Sequence, residues 1–260
     1  INTVYGTRIY DGTTTVNGSD LSSMNNLVGS ETLTISGAGS LSNANAGSNK
    51  SVSVGTLALS NGSNGGLASN YTMSGGTHTL TVNQRVVNVS GTRLYNALAT
   101  AVASDLSTMT NLVGSETLTL SSNGTIASKD VGSNKTVTIG SLSLGNGSNG
   151  GLAANYTLTG GTHRLTVNQR PLNATIARQY DATTTAAGST LSSFDALQGG
   201  ETLTLSGSGT AASANVANSI AMSSNGNLAL VDGTGEASND SLNSTVINIS
   251  KRVLNSSGSK

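Results

Sequence analysis

The residues of this chain that are capable of chemistry are few, and they recur at one spacing. His78 and His163, the only two histidines, each follow Gly-Gly-Thr and lie 85 positions apart. A metal site needs several convergent ligands, and neither histidine has a His, Cys or carboxylate beside it at ligand spacing. They read as strand or turn residues. Glu31, Glu116 and Glu201 recur with the same period, as do Asp20 and Asp105. Acid–base catalysis by carboxylates needs a second group converging on the first, and none accompanies these. The aspartates are expected to cap a helix. The glutamates are expected to accept backbone donors or to pair with Arg8, Arg93 or Arg178. The 12 carboxylates are spread thinly, without an EF-hand loop or a Gly-Gly-x-Gly-x-Asp nonapeptide, so calcium is not expected. Lys50 and Lys135 each follow Asn in a Ser-Asn-Lys run and suggest a Lys–Asn crosslink, but the third copy reads Ser219-Ile220 there. No catalytic, cofactor-binding or metal-binding residue is assigned and no cofactor is expected. Nothing resembles a nucleophile–base pair, so an enzyme is not expected either.

One modification remains. Asn-x-Ser/Thr sequons are numerous, and Asn61, Asn70, Asn146 and Asn155 are the candidate glycosylation sites. Their number barely exceeds what so much Ser and Thr produces by chance.

These residues must be positioned by a β-rich scaffold. Apolar residues are 35% of the 260, aromatics 3% and charged residues 9%, so the core must be built from aliphatic side chains. Twelve basic residues balance 12 acidic ones, which removes the field that would attract nucleic acid. There is no Cys, hence no disulfide framework, and no apolar run long enough to span a bilayer as a helix. Disordered chains combine low hydrophobicity with high net charge. Here the net charge is zero and apolar residues alternate regularly, as in strands.

The 85-residue period runs through the whole chain. Gly6-Thr7-Arg8-Ile9-Tyr10 returns as Gly91-Thr92-Arg93-Leu94-Tyr95, and weakened as Ile176 to Tyr180. Leu27 to Thr34 returns at Leu112 to Thr119 and at Leu197 to Thr204. Such a period signals an array of similar modules. Within one module, Asp11-Gly12 between β-formers predicts an opening hairpin. Asp20, Leu21, Met24, Leu27, Val28 and Gly29 predict a two-turn helix with its cap and stop. Thr32 to Ile35, Val52 to Leu59, Tyr71 to Met73 and Thr79 to Val82 predict strands. That order of elements is the order of a β-grasp-like module. Leu80 to Val89 holds neither Gly nor Pro, which predicts a stiff, short joint.

The expected architecture is therefore mainly β: a tandem array of three β-grasp-like modules, each a sheet with one short helix, set end to end as a rod on the order of 100 Å long. The modules span 1–85, 86–170 and a divergent 171–252, with 253–260 as the start of a further repeat or a tail. The chain is expected to be an excerpt from a longer array. A parallel β-helix is the competing fold, but no sub-period near 20 residues supports it.

Tyr10-Asp11-Gly12, the Leu27 to Thr34 run, Asn70-Tyr71-Thr72 and the Leu80-Thr81-Val82 strand together resemble the YDG-type repeat modules of large bacterial surface adhesins and haemagglutinin-like exoproteins. The signature positions are Tyr10, Asp11, Gly12, Tyr95, Tyr180, Glu31, Glu116 and Glu201. Copies two and three depart at the third position (Ala97, Ala182), and copy three reads Asn239-Asp240-Ser241 for Asn-Tyr-Thr. The resemblance implies extracellular, mainly β spacers between a membrane-proximal anchor and a distal binding head. The expected function is a non-catalytic stalk of a bacterial cell-surface or secreted adhesin. The alternatives are a module that itself binds glycan or host protein, and a subunit of a homopolymeric filament. Expected partners are neighbouring repeats, host or cell-surface glycans or proteins, or copies of the chain itself, with no nucleic acid and no membrane span.

Overall fold

The computed structural model describes residues 3–254. Most of the segment 253–260, expected to open a further repeat, lies outside the described residues, as do Ile1 and Asn2. The described chain is mainly β, and its only helical elements are three-residue 3-10 turns. Two compact units divide it: Ile1–Ser90, Val102–Gly124 and Ile139–His163 form one, and Gly91–Ala101, Thr125–Thr138 and Arg164–Lys260 the other. The middle repeat contributes to both, so each unit holds one outer repeat and one joint between repeats.

In the first unit, Thr3–Ile9 lies parallel to Thr77–Asn83, with Val4 opposite His78 and Ile9 opposite Asn83. Ser23–Met24 and Gly47–Ser51 flank this pair in antiparallel register. Two smaller ladders, Thr15–Asn17 with Ala38–Ser40 and Leu33–Ser36 with Ala58–Asn61, complete the first repeat. Period-two alternation does the packing. His78, Leu80 and Val82 point inward while Thr79 and Thr81 between them are half-exposed. Val4, Val16, Leu21, Leu41 and Val52 of the same repeat are buried as well.

The second unit repeats the plan. Arg170–Gln179 runs parallel to Asp240–Ser250, and the sheet continues through Ala217–Ser224, Ser208–Ala211 and Thr185–Ala187 on one side and Leu191–Phe194 on the other. Ala174, Ile176, Ala186, Leu205, Ala211, Ile220, Ile247 and Ile249 form its core. First and last strands of a repeat thus lie side by side and point the same way.

Two local expectations are corrected. The short helix expected in each module does not form. Gly18–Asp20 is a single 3-10 turn, after which Ser23–Met24 pairs as a strand. Asn26 (φ 64°) and Gly29 (φ 56°) sit in the left-handed region, which an α-helix cannot accommodate. The apolar spacing of Leu21, Met24 and Leu27 fits a helix face, but the Ser and Asn residues between them are poor helix formers. Asp20 still takes a capping role, its Oδ2 accepting the Asn17 N–H at 3.0 Å. Nor does Asp11-Gly12 close a hairpin, because Thr3–Ile9 and Thr15–Asn17 join different sheets. Gly6 makes room for the turn in the first repeat, where a Cβ would fall 1.8 Å from the Asp20 carbonyl oxygen; the third repeat carries Ile176 at this position and still forms its turn at Gly188–Thr190.

Candidate functional site: the joints between repeats

The signature residues converge where one repeat meets the next. In the first unit, Tyr10 ends the opening strand, and its backbone N–H donates to the Asn83 carbonyl at 2.8 Å. Its ring is buried, and a buried phenol needs a hydrogen-bond partner. The hydroxyl donates to Glu116 Oε1 of the following repeat at 2.7 Å. The Tyr156 hydroxyl donates to Glu116 Oε2, also at 2.7 Å, and the two rings meet edge to face with centroids 5.4 Å apart. One carboxylate therefore takes two phenols, one from each repeat. Burial, then the charge on Glu116 that their hydroxyls face, pushes both Tyr10 and Tyr156 up to about 12.

Further contacts bind the same joint. Asn155 is fully buried; its Oδ1 accepts the Ala46 N–H at 2.9 Å and its Nδ2 donates to Asn45 Oδ1 at 3.2 Å. Gln84 Nε2 donates to the Ala154 carbonyl at 3.1 Å. Arg85 donates to the Asn111 carbonyl at 2.8 Å, to Asn111 Oδ1 at 2.9 Å and to the Tyr10 carbonyl at 3.4 Å. The connecting residues are thus tied to both sides.

The second unit holds a related joint. The Tyr95 hydroxyl donates to Glu201 at 2.7 and 2.9 Å. The counterpart of Tyr156 is Asp240, which is buried. Lys129 supplies the second donor instead, with an ion pair to Glu201 and a 2.8 Å hydrogen bond to the Tyr95 oxygen. Asn239 Oδ1 accepts the Val131 N–H at 2.8 Å and its Nδ2 donates to Asp130 at 3.1 Å, matching Asn155. Arg170 donates to the Tyr95 carbonyl at 2.7 Å. Burial is the largest influence on Glu201 and pushes it up, but hydrogen bonds from Lys129 and Tyr95 outweigh it and hold the carboxyl below its usual range. Burial, then the neighbouring Glu201, pushes Asp240 up.

The equivalent positions outside the two described joints calibrate them. Tyr10 and Tyr95 are 3% and 1% exposed, but Tyr180 is 38% exposed. Asn155 and Asn239 are buried where Asn70 is exposed. Glu31 accepts only the Tyr71 hydroxyl of its own repeat among the described residues.

The structure places the other singled-out residues in structural roles. Asp11 Oδ1 accepts the Thr13 N–H and hydroxyl, both at 2.9 Å, closing a turn in which Gly12 has φ 77°. The described ion pairs of Arg8 and Arg178 go to aspartates, not to the glutamates expected. Arg8 donates to the Thr13 and Thr15 carbonyls and lies 3.5 Å from Asp11 and 3.6 Å from Asp20, bracing the signature loop. His78 Nδ1 accepts the Val4 N–H at 3.3 Å and Nε2 donates to the Met73 carbonyl at 3.0 Å; His163 repeats this with Val89 and Leu158. Lys50 donates to Asn43 Oδ1 at 2.9 Å and to the carbonyls of Asn43 and Asn45, which makes it a loop anchor. Asn61 and Asn146 are exposed, whereas Asn155, buried with its amide nitrogen donating, has no room for a glycan in the folded chain. The sequence reading missed the Gln84-Arg85 and Gln169-Arg170 pairs, although their recurrence at both joints was a signal.

The YDG domain family matches residues 1–81 and again 77–164. The chain belongs to the YDG domain family. The two matches meet at the first joint, and the name-giving Tyr10-Asp11-Gly12 is the loop that delivers the phenol to Glu116. No curated protein and no solved structure matches the chain. In this YDG chain the signature is an inter-repeat clasp: a tyrosine of one repeat and a second donor hydrogen-bond the glutamate of the next.

Proposed function

We propose that this YDG chain is a non-catalytic structural stalk, or spacer, of an extracellular bacterial adhesin, displayed on the cell surface or secreted. The observation that carries the reading is the parallel pairing of first and last strands within a repeat, Thr3–Ile9 with Thr77–Asn83 and Arg170–Gln179 with Asp240–Ser250. A chain that enters and leaves along parallel neighbours exits at the end opposite its entry, so every repeat adds reach. Tension between the two ends then loads the ladder hydrogen bonds in shear, all together, where an antiparallel pair pulled from one end would unzip one bond at a time. The clasped joints support the same reading, since a spacer transmits length only if its connections do not fold back. The absence of Trp, with only 3% aromatics, weighs against a glycan-stacking surface on these repeats.

Small-angle scattering tests the in-line arrangement. A rod on the order of 100 Å has a radius of gyration of about 30 Å, against about 18 Å for one compact body of this length. The smaller value would overturn the spacer reading. Reproducible, specific binding on a glycan array would replace it with that of an adhesive module.

A further inference from the structure

The two joints do the same work with different residues, and the differences are paired across each joint. In the first, a Cβ added to Gly12 would lie 2.9 Å from Val113 Cγ1, beside the Tyr10 and Glu116 oxygens at 4.0 Å. The upstream repeat leaves a space, and a methyl of the downstream repeat fills it. In the second, the upstream residue is Ala97 and the residue in place of Val113 is Gln198, whose Nε2 donates to the Ala196 carbonyl at 2.8 Å. A Cβ added to Gly199 would now lie 2.8 Å from the Ala97 Cβ, whereas one added to the equivalent Gly114 would meet nothing within 4 Å. One methyl has gone from the downstream side and another has come from the upstream side.

The second donor to the glutamate changes sides in the same way. In the first joint it is Tyr156, downstream, and the upstream residue equivalent to Lys129 is Ala44. In the second it is Lys129, upstream, and the downstream Tyr has become Asp240. The Lys129 ammonium also bonds the signature tyrosine oxygen, whereas Tyr156 meets its tyrosine through the ring.

We propose that neighbouring repeats select one another through two slots at each joint, one for a methyl and one for a second donor to the glutamate, each filled from one side only. A face bearing Gly12 and Ala44 takes a repeat with Val113 and Tyr156; a face bearing Ala97 and Lys129 takes one with Gln198 and Asp240. Crossed pairings place two groups in a slot, which overpacks it, or none, which leaves a cavity and a carboxylate short of a donor. The partner of each face is a YDG repeat of the complementary class. This goes beyond a spacer role, because it fixes which repeat follows which.

Two double-mutant cycles on the full chain, read by urea unfolding, test the slots. For the methyl slot, Gly12→Ala should raise the unfolding constant far more in the native background than beside Val113→Gln, with coupling above about threefold. The comparison cancels the backbone strain of alanine at this left-handed position, which both backgrounds share. For the donor slot, Lys129→Ala and Asp240→Tyr should each weaken the fold and recover together, again coupled more than about threefold. Should Asp240→Tyr alone fail to fold, folding of the double variant supports the slot and its failure refutes it. Additivity within about threefold overturns the corresponding slot. Neither result bears on the spacer reading, which scattering decides separately.

Discussion

A buried phenol without an acceptor is costly, and each joint depends on one such hydroxyl meeting one carboxylate. Tyr10 and Tyr180 occupy equivalent positions, but among the described residues Tyr10 donates to the following repeat while Tyr180 is 38% exposed. The comparison isolates the worth of the clasp. Tyr10→Phe should cost about 1.5–3 kcal/mol, the usual range for a hydrogen bond to a charged acceptor. Tyr180→Phe, at a half-exposed site, should stay within about 0.5 kcal/mol. Urea unfolding of both variants gives the numbers, and equal losses would mean that the phenol serves its own repeat and not the joint. The aspartate of the signature is different in kind: Asp11, like Asn96 and Asp181 after it, accepts a backbone N–H two residues on and shapes the loop that aims the tyrosine.

At the level of elements, residues 20–29 show how a helical apolar spacing can be overruled. Ser23–Met24 finds ladder partners on the opening strand, while two left-handed residues bend the chain away from any helix. One substitution separates the two conformations by sign. Asn26→Ala should lower stability by about 0.5–1 kcal/mol, because alanine tolerates positive φ less well than asparagine. In a helix the same change would raise stability by about half a kcal/mol. Thermal melting of the variant decides, and a higher midpoint would restore the helix. The third repeat shows a related economy. Thr245 stands where His78 and His163 hold the first strand, opposite Ala174, and its buried hydroxyl has no partner among the described residues. There the longer parallel ladder of Asp240–Ser250 replaces the lost side-chain bonds.

For the molecule as a whole, the joints make stability depend on pH at the alkaline end. Tyr10 and Tyr156 hold their protons up to about 12, and burial, with Glu201 against Lys129, raises Tyr95 as well. Unfolded tyrosines release theirs near pH 10. Between these values the folded chain binds more protons than the unfolded one, so stability falls as pH rises. Full stability is therefore expected below about pH 10, with a progressive loss towards about pH 12. Melting temperatures across that interval check it, and the slope should flatten in a Tyr10→Phe, Tyr156→Phe variant. A slope unchanged by those substitutions would place the sensitivity elsewhere.

The sequence by itself determined the repeat, the β class, the family and the structural use of the histidines. These rest on recurrence at a fixed spacing and on period-two alternation, which are local properties of the chain. Only the tertiary structure decided that the glutamates answer to tyrosines and not to arginines, and that the first and last strands run parallel. Tyr10 and Glu116 are separated by 106 residues, and Tyr95 and Glu201 by the same number. A periodic sequence shows that both members of each pair recur, but it cannot show whether a residue's partner lies in its own copy or the next. That depends on which end of the sheet each loop leaves, and the strand order settles it.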